Sequence, residues 1–214
     1  MTDLPHYVAE QFLAGPESNW SAESRRLSAF LRHIAKRIDE ETRLRIYGSA
    51  AVAFYTARLT GYAHITDDID VGDPGSISSA LEKALPDPDP HLTFHFRRPG
   101  MWLAAPGWTQ FCVEITASLD TTPLHVELMH PVDLVISKLI RWNERDAEDV
   151  NRLRTIFPLQ AKSLASRLNE AVEHSVISPW ESSQLNELLE ELFSDPDELE
   201  LARTLTPSLK ALDE

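Results

Sequence analysis

The stretch Thr66-Asp67-Asp68-Ile69-Asp70-Val71 decides how this chain folds and where its chemistry lies. Its acidic and apolar residues alternate, which predicts a β-strand. Side chains two positions apart on a strand share one face, so Asp68 and Asp70 lie side by side while Ile69 points into the core. Two neighbouring carboxylates repel each other unless a cation joins them, and oxygen ligands favour Mg²⁺ or Mn²⁺. The strand therefore predicts a divalent-metal site, with a solvated strand end as the alternative.

A strand and a helix come before this stretch, joined by Gly48-Ser49. Residues 44–47 are apolar enough for a short strand, and the alanine-rich residues 50–59 predict a helix that ends near Gly61. Glycine permits a sharp turn and a close approach to a ligand, and the N–H groups at a helix start favour an anion. The turn predicts a phosphate-binding position, although an ordinary strand–helix turn has the same composition.

A helical run with alternating charges follows at residues 133–150. Its charged residues of interest are Lys138, Arg141, Arg145, Asp146 and Asp149. The three cations are spaced three and four residues apart, which predicts one helix face that presents all of them. Asp149 can pair with Arg145, and the two aspartates are placed to orient the basic groups. Ordinary ion pairing on the surface is the alternative.

The order of these motifs along the chain resembles the nucleotidyltransferase superfamily of the DNA polymerase β type. The motifs are the strand–Gly-Ser–helix turn, the Asp-x-Asp strand and the later segments Asp-Leu-x-x-x-Lys-Leu and Arg-Asp-x-x-Asp. More narrowly, they are similar to its AbiEii-like branch, which includes toxins of bacterial toxin–antitoxin pairs. The resemblance covers residues 43–157. It implies an α+β fold with a mixed sheet flanked by helices, and an enzyme that transfers a nucleoside monophosphate from an NTP to an unknown acceptor.

The resemblance also implies roles for particular residues, around two Mg²⁺ or Mn²⁺ ions. The implied catalytic residues are Asp68, Asp70, Lys138 and Asp146. The implied nucleotide-binding residues are Gly48, Ser49, Lys138, Arg141, Arg145 and Asp149. In this scheme the Gly-Ser turn cradles the β- and γ-phosphates, Lys138 reaches the phosphates or the base, and Asp146 orients Lys138 or Arg141.

Active members of the superfamily add a third metal-binding carboxylate from a neighbouring strand. The candidates are Glu114, Asp120 and Glu127, and Glu114 is favoured because it is centred in the apolar segment 111–115. Without such a carboxylate the chain is a noncatalytic module that binds a nucleotide or a protein on a decayed nucleotidyltransferase fold. This alternative stays open.

Composition limits the possible classes of function. The chain has 214 residues, a formal net charge of −14 and one cysteine, Cys112, so it forms no internal disulfide and is expected in a reducing cytoplasm. No apolar run approaches the roughly 20 residues that span a bilayer. The acidic balance disfavours broad DNA binding. Basic faces at 21–40 and 138–154 leave RNA or tRNA as a possible acceptor, and a cognate antitoxin as a possible partner.

The pattern along the chain predicts three parts: an N-terminal arm at 1–20, an α+β domain at 21–157 and a helical region at 158–214. Strands are expected at 92–97, 110–119 and 124–129. Among the eight histidines no H-x-H spacing occurs, and no zinc site is expected. His95, His125 and His130 are expected to be structural or to lie at the rim of a site.

Overall fold

Alternation of apolar and polar residues builds a mixed β-sheet. The computed structural model describes residues 4–59, 66–72, 84, 92–96 and 102–210, and in them five strands lie in the order β3-β2-β1-β5-β4. The strands are β1 (Thr42–Tyr47), β2 (Asp68–Gly72), β3 (Thr93–Phe96), β4 (Val113–Glu114) and β5 (Leu124–Leu128). β1 is antiparallel to β2 and parallel to β5, β2 is parallel to β3, and β4 is antiparallel to β5. With helices around this sheet, the expected α+β class is confirmed.

The two faces of the sheet differ in chemistry. Ile46 pairs with Val71 on one side and with Leu128 on the other, and all three side chains are fully buried. The residues one position away fall on the opposite face, where Asp70 lies on β2 and Arg45 on β1. One face therefore forms the core, and the other carries the charged residues.

Among the described residues, four α-helices belong to the same unit as the sheet, the sheet unit, which comprises residues 6–99 and 112–129. They are α1 (Glu10–Leu13), α2 (Ala22–Ala35), α3 (Gly48–Tyr55) and α4 (Thr116–Leu119). Helix α2 begins after Ser21, whose hydroxyl accepts a hydrogen bond from the Ser24 N–H at 3.1 Å. Arginines of α2 are bonded within the unit: Arg26 donates to the Thr66 carbonyl at 3.1 Å, and Arg32 to Glu17 at 2.7 Å.

The strand expected over residues 110–119 is largely wrong, because the chain turns after two paired residues. Only Val113 and Glu114 pair with β5. The Thr116 hydroxyl then accepts a hydrogen bond from the Val126 N–H at 2.9 Å, and α4 begins. A threonine side chain that takes up a backbone donor competes with continuation of the strand. The strands expected at 92–97 and 124–129 are confirmed as β3 and β5.

In the part of the chain that the structure describes, six α-helices belong to a second unit, the helical unit, which comprises residues 1–5, 100–111 and 130–214. They are α5 (Pro131–Leu139), α6 (Glu144–Ile156), α7 (Ala161–Glu173), α8 (Pro179–Leu192), α9 (Pro196–Leu205) and α10 (Pro207–Lys210). Ser178 and Glu181 form a reciprocal capping box at the start of α8. Of the helices in the described part of the chain, none combines the length and the apolar character that crossing a membrane requires.

A buried ion pair joins α5 to α7. Arg167 donates from Nε to Asp133 Oδ1 at 2.9 Å, and neither side chain is more than 1% exposed. The same guanidinium donates to the Pro106 carbonyl at 3.0 Å and to Glu170 at 2.7 Å, and it lies 4.9 Å from the centroid of the Phe111 ring. Burial raises the pKa of Asp133 to about 6, and the charge of Arg167 offsets only part of that effect.

Candidate functional site

The turn from β1 into α3 requires glycine at position 48. Its φ is +66°, a conformation that other residues rarely adopt. A Cβ at this position would lie 3.2 Å from both Cβ and Cγ of Asp70 and would overlap the carboxylate. Helix α3 begins at Gly48, and the Tyr47 side chain does not cap it. The N-terminal end of α3 and the Asp70 carboxylate therefore adjoin, as a nucleotide phosphate with its metal would require.

Three potential metal ligands meet on the charged face of the sheet. Asp68 and Asp70 lie on β2, and the register pairs Asp70 with His95 on the neighbouring β3. His95 Nδ1 lies 2.6 Å from Asp68 Oδ2, and one ligand atom from each of the three side chains lies within 4.8 Å of the others. Asp68 is 31% exposed and His95 is 51% exposed, so a substrate can reach the group. Two carboxylates and an imidazole fit a divalent cation.

Packing on the opposite face holds β3 in place. Phe94 points away from the carboxylates, and its ring centroid lies 5.3 Å from that of Phe30 on α2. The Thr93 N–H donates to the Asp67 carbonyl at 3.1 Å, which fixes the start of the ladder between β2 and β3. Because side chains alternate along a strand, these contacts direct His95 toward the two aspartates.

A second charged cluster lies in the helical unit. Lys138 on α5 donates from Nζ to Asp149 Oδ2 at 2.6 Å and to Asp146 Oδ1 at 3.3 Å. Arg141 holds Asp146 with two hydrogen bonds, from Nε at 2.8 Å and from Nη2 at 2.7 Å. Lys138 and both aspartates are no more than 2% exposed, whereas Arg141 is 56% exposed. Asp146 thus contacts both Lys138 and Arg141, the two cations that the resemblance implied it would orient.

Asp146 has a second task at the start of α6. Its carboxylate accepts the Asn143 N–H, and its own N–H donates to the Asn143 side chain, so the two residues form a capping box. Burial on its own would raise the pKa of Asp146, but the hydrogen bonds from Arg141 and the charge of Lys138 outweigh it, and the pKa lies below its ordinary value. Asp146 is therefore ionised at neutral pH.

The prediction that one helix face presents three cations is wrong. Helix α5 ends at Leu139 and α6 begins at Glu144, so Arg141 lies between two helices and Arg145 lies on the second. Trp142 has a φ of +20°, which breaks the helical path. Lys138 and Arg141 are brought together by the aspartate that they share, Asp146, rather than by helical spacing.

The structure places the three candidate carboxylates on β4, β5 and the end of α4. Glu114 is 58% exposed, accepts a hydrogen bond from the Thr116 hydroxyl at 2.9 Å and lies 3.2 Å from His125 Nδ1. Its hydrogen bonds with His125 and Thr116 lower its pKa. Its neighbour across the ladder, Glu127, is paired with Arg45 at 2.8 Å. Asp120 ends α4 in a left-handed conformation. Among the described residues, the group that could hold a metal contains His95 and none of these three.

His95 is the member of this group that sequence reasoning missed. Residues 93–96 alternate polar and aromatic side chains, which predicts a half-buried strand with His95 on its open face. That pattern predicts which face of the strand His95 lies on, but it does not predict which residue lies beside His95 on the neighbouring strand. The pairing of β3 with β2 joins residues that lie 25 positions apart in the sequence, and no local pattern specifies it.

Comparison with known proteins gives one finding for this chain. No curated protein and no solved structure matches it significantly. Residues 25–195 match the model of a family described as "Nucleotidyltransferase of unknown function (DUF6036)". The matched range includes the Gly48 turn, the three potential metal ligands and the cluster around Lys138. The chain therefore belongs to this family of nucleotidyltransferases of unknown function.

Proposed function

We propose that this protein is a metal-dependent nucleotidyltransferase that moves a nucleoside monophosphate from an NTP to an acceptor hydroxyl. The observation that carries the proposal is the meeting of Asp68, Asp70 and His95 beside the glycine turn at the start of α3. Membership of a nucleotidyltransferase family supports the reaction class. The geometry adds the place at which phosphates and metal would meet.

Electrostatics explains why a metal belongs between these groups. The start of α3 attracts phosphate because its N–H groups carry partial positive charge. The Asp70 carboxylate next to it repels phosphate, and Asp68 adds a second negative charge two residues away. When bound to the two aspartates, Mg²⁺ or Mn²⁺ would neutralise charge on the phosphates and on the leaving group.

The protein's own residues would position the reactants. The N–H groups of Gly48 and Ser49 would hold the β- and γ-phosphates, which places the α-phosphorus beside β2. The acceptor oxygen then bonds to the α-phosphorus, the bond from the α-phosphorus to the bridging oxygen breaks, and pyrophosphate leaves. The proton of the acceptor hydroxyl passes to a base or to water. Fixing the phosphates in this way lowers the entropy cost of the attack.

The charged cluster of the helical unit supplies candidate phosphate contacts. Arg141 is the most exposed member of the cluster, with 56% of its side chain exposed. Arg145 has a buried Nε without a hydrogen-bond partner among the described residues, which a phosphate oxygen would satisfy. Because Lys138 is buried with Asp146 and Asp149, we propose that it orients this cluster.

The finer parts of the proposal rest on the resemblance. We propose placement in the AbiEii-like branch, a cytoplasmic location, an RNA or tRNA acceptor and an antitoxin partner. Glu114 is the third carboxylate that the resemblance implies, and His95 competes with it for the place of third metal ligand. Labelling of cellular RNA and protein fractions with α-phosphate-labelled NTP would identify the acceptor.

Thermal melting tests nucleotide and metal binding directly. The protein is melted with ATP, GTP, CTP or UTP, each with and without Mg²⁺ or Mn²⁺. A ligand at 100 times its Kd stabilises by about 2.7 kcal/mol, which for a chain of this size raises Tm by about 5 °C or more. We expect such a shift for at least one nucleotide, only with metal, and its loss in Asp68→Asn and Asp70→Asn.

Asp67→Asn is the matched control, because it makes the same chemical change one position outside the metal group. It should keep the metal-dependent shift. If no nucleotide shifts Tm with either metal, the transferase proposal fails and the noncatalytic module is the better account. If Asp67→Asn loses the shift as fully as Asp68→Asn does, the assignment of the site to one face of β2 fails.

A further inference from the structure

We propose that His95 is a direct ligand of the metal and that it makes the site prefer Mn²⁺ to Mg²⁺. The inference rests on the proposed function, since it concerns the ion that nucleotidyl transfer would use. The juxtaposition that carries it is the imidazole on β3 beside the two carboxylates on β2. The family resemblance had implied a third carboxylate in this role.

The geometry brings all three side chains to one point. Asp70 and His95 are direct neighbours across parallel strands, which lie about 4.8 Å apart in a sheet. The imidazole is turned toward the carboxylates, because its Nδ1 lies 2.6 Å from Asp68 Oδ2. An ion about 2.2 Å from each ligand atom permits separations up to about 4.4 Å. The ligand atoms lie within 4.8 Å of one another, so small rotations of the side chains would bring them to the separations that a bound ion requires.

The backbone that carries His95 is anchored independently of any metal. Phe94 packs against Phe30, and its ring lies 5.8 Å from that of Phe96 on the same face of β3. Substitution of His95, whose side chain is 51% exposed, therefore removes a ligand without removing a core contact. This separation makes His95 suitable for a substitution test.

The donor set explains the preference for Mn²⁺. Mg²⁺ is bound in proteins through oxygen and releases its waters reluctantly. Imidazole nitrogen suits transition ions, while carboxylates suit Mg²⁺ and Mn²⁺ alike. Two carboxylates with one imidazole therefore favour Mn²⁺, because it takes oxygen ligands as Mg²⁺ does and also accepts nitrogen. The side chains of Asp68 and His95 are partly exposed, so substrate oxygens can reach the ion and complete its coordination.

Electron paramagnetic resonance of Mn²⁺ tests the inference without an activity assay. Titration of the full chain with Mn²⁺ gives its affinity from the signal of the free ion, and competition gives the affinity for Mg²⁺. Pulsed measurements then detect the coupling of bound Mn²⁺ to a ¹⁴N nucleus. We expect that coupling in the wild type, and its loss in His95→Asp. The preference for Mn²⁺ over Mg²⁺ should fall about tenfold or more, since even partners that only support a ligand contribute that much.

Three further variants make the result decisive. Asp68→Asn should weaken binding of both ions. His174→Ala, a histidine change in the helical unit, should alter neither affinity nor coupling, and a change there would overturn the assignment to His95. If Glu114→Gln weakens binding while His95→Asp does not, Glu114 is the third ligand and the inference is overturned.

The failure of this inference is distinguishable from failure of the proposed function. Wild-type protein that binds Mn²⁺ through Asp68 and Asp70 without ¹⁴N coupling shows that His95 only hydrogen-bonds to Asp68. That result overturns the inference and leaves the transferase proposal standing. Wild-type protein that binds neither ion, even with a nucleotide present, overturns both.

Discussion

Substitution of Asp133 by asparagine should remove a strong pH dependence of folding stability. The folded carboxyl has a pKa of about 6, against 3.8 for an ordinary aspartate. Between these values the folded chain holds a proton that the unfolded chain has lost, so stability falls as the pH rises. The contribution is fully present below the unfolded pKa and is lost above about pH 6. At about 1.36 kcal/mol for each pH unit, the difference amounts to about 3 kcal/mol.

Urea unfolding of both proteins at about pH 4, 5, 6 and 7 measures this effect. Asparagine keeps an oxygen for Arg167 but does not titrate, so the difference in unfolding free energy between the two proteins isolates the carboxyl. We expect the wild type to lose about 2 kcal/mol relative to Asp133→Asn as the pH rises from 4 to 7, because part of the change lies below pH 4. Asp146→Asn is a control that should change little over this range, because the lowered pKa of Asp146 places its loss of stability below the ordinary value of 3.8. A difference for Asp133→Asn that is flat over this range would refute the reasoning.

Three other substitutions have defined outcomes in urea unfolding. Gly48→Ala should cost about 1 to 3 kcal/mol, because it strains the backbone at a φ of +66° and forces the Asp70 carboxylate to move. Lys138→Met should cost about 3 to 5 kcal/mol, because it leaves Asp149 buried without its cation. Thr116→Val should cost about 1 to 3 kcal/mol, because it removes the acceptor of a buried backbone N–H.

Each of these substitutions has a control or a contrary outcome. Gly107→Ala has nearly the same φ, +67°, but its Cβ would meet nothing closer than 3.4 Å, so it measures backbone strain alone. Arg141→Met removes an exposed partner of Asp146 and should cost less than about 1 kcal/mol. Equal losses for Lys138→Met and Arg141→Met would contradict the difference in burial. Full stability of Thr116→Val would mean that its hydroxyl bond does not support the turn into α4.

The part of the fold near the Asp-x-Asp strand could be predicted because its signals are local. The alternation around Ile69 and the glycine after β1 are patterns of neighbouring residues. The structure has β1, α3 and β2 in these segments. The nucleotidyltransferase family is confirmed by the match over residues 25–195. The sequence also predicts a short helix at residues 78–85, and these residues, except for Ala84, lie outside the described part of the chain. The division of the chain at residues 20 and 157 stays a prediction.

The candidate site was harder to predict because it depends on contacts between distant segments. His95 can be identified as a potential metal ligand only from the strand register that pairs it with Asp70. The burial of Lys138 depends on two aspartates that belong to the next helix, whereas helical spacing describes neighbours on one continuous helix only. The spacing rule therefore predicted these charged residues on the exposed face of one helix, whereas Lys138, Asp146 and Asp149 are buried.

The ion pair between Asp133 and Arg167 also constrains the order in which the helical unit is built on the ribosome. Its two residues are 34 positions apart, so α5 leaves the ribosome well before the cation that neutralises it. Until α7 has formed, burial of Asp133 would isolate a charge, and the carboxylate stays in water at neutral pH. Burial of Asp133 in the helical unit is thus expected only once Arg167 has been synthesised, and α8, α9 and α10 join the unit after that.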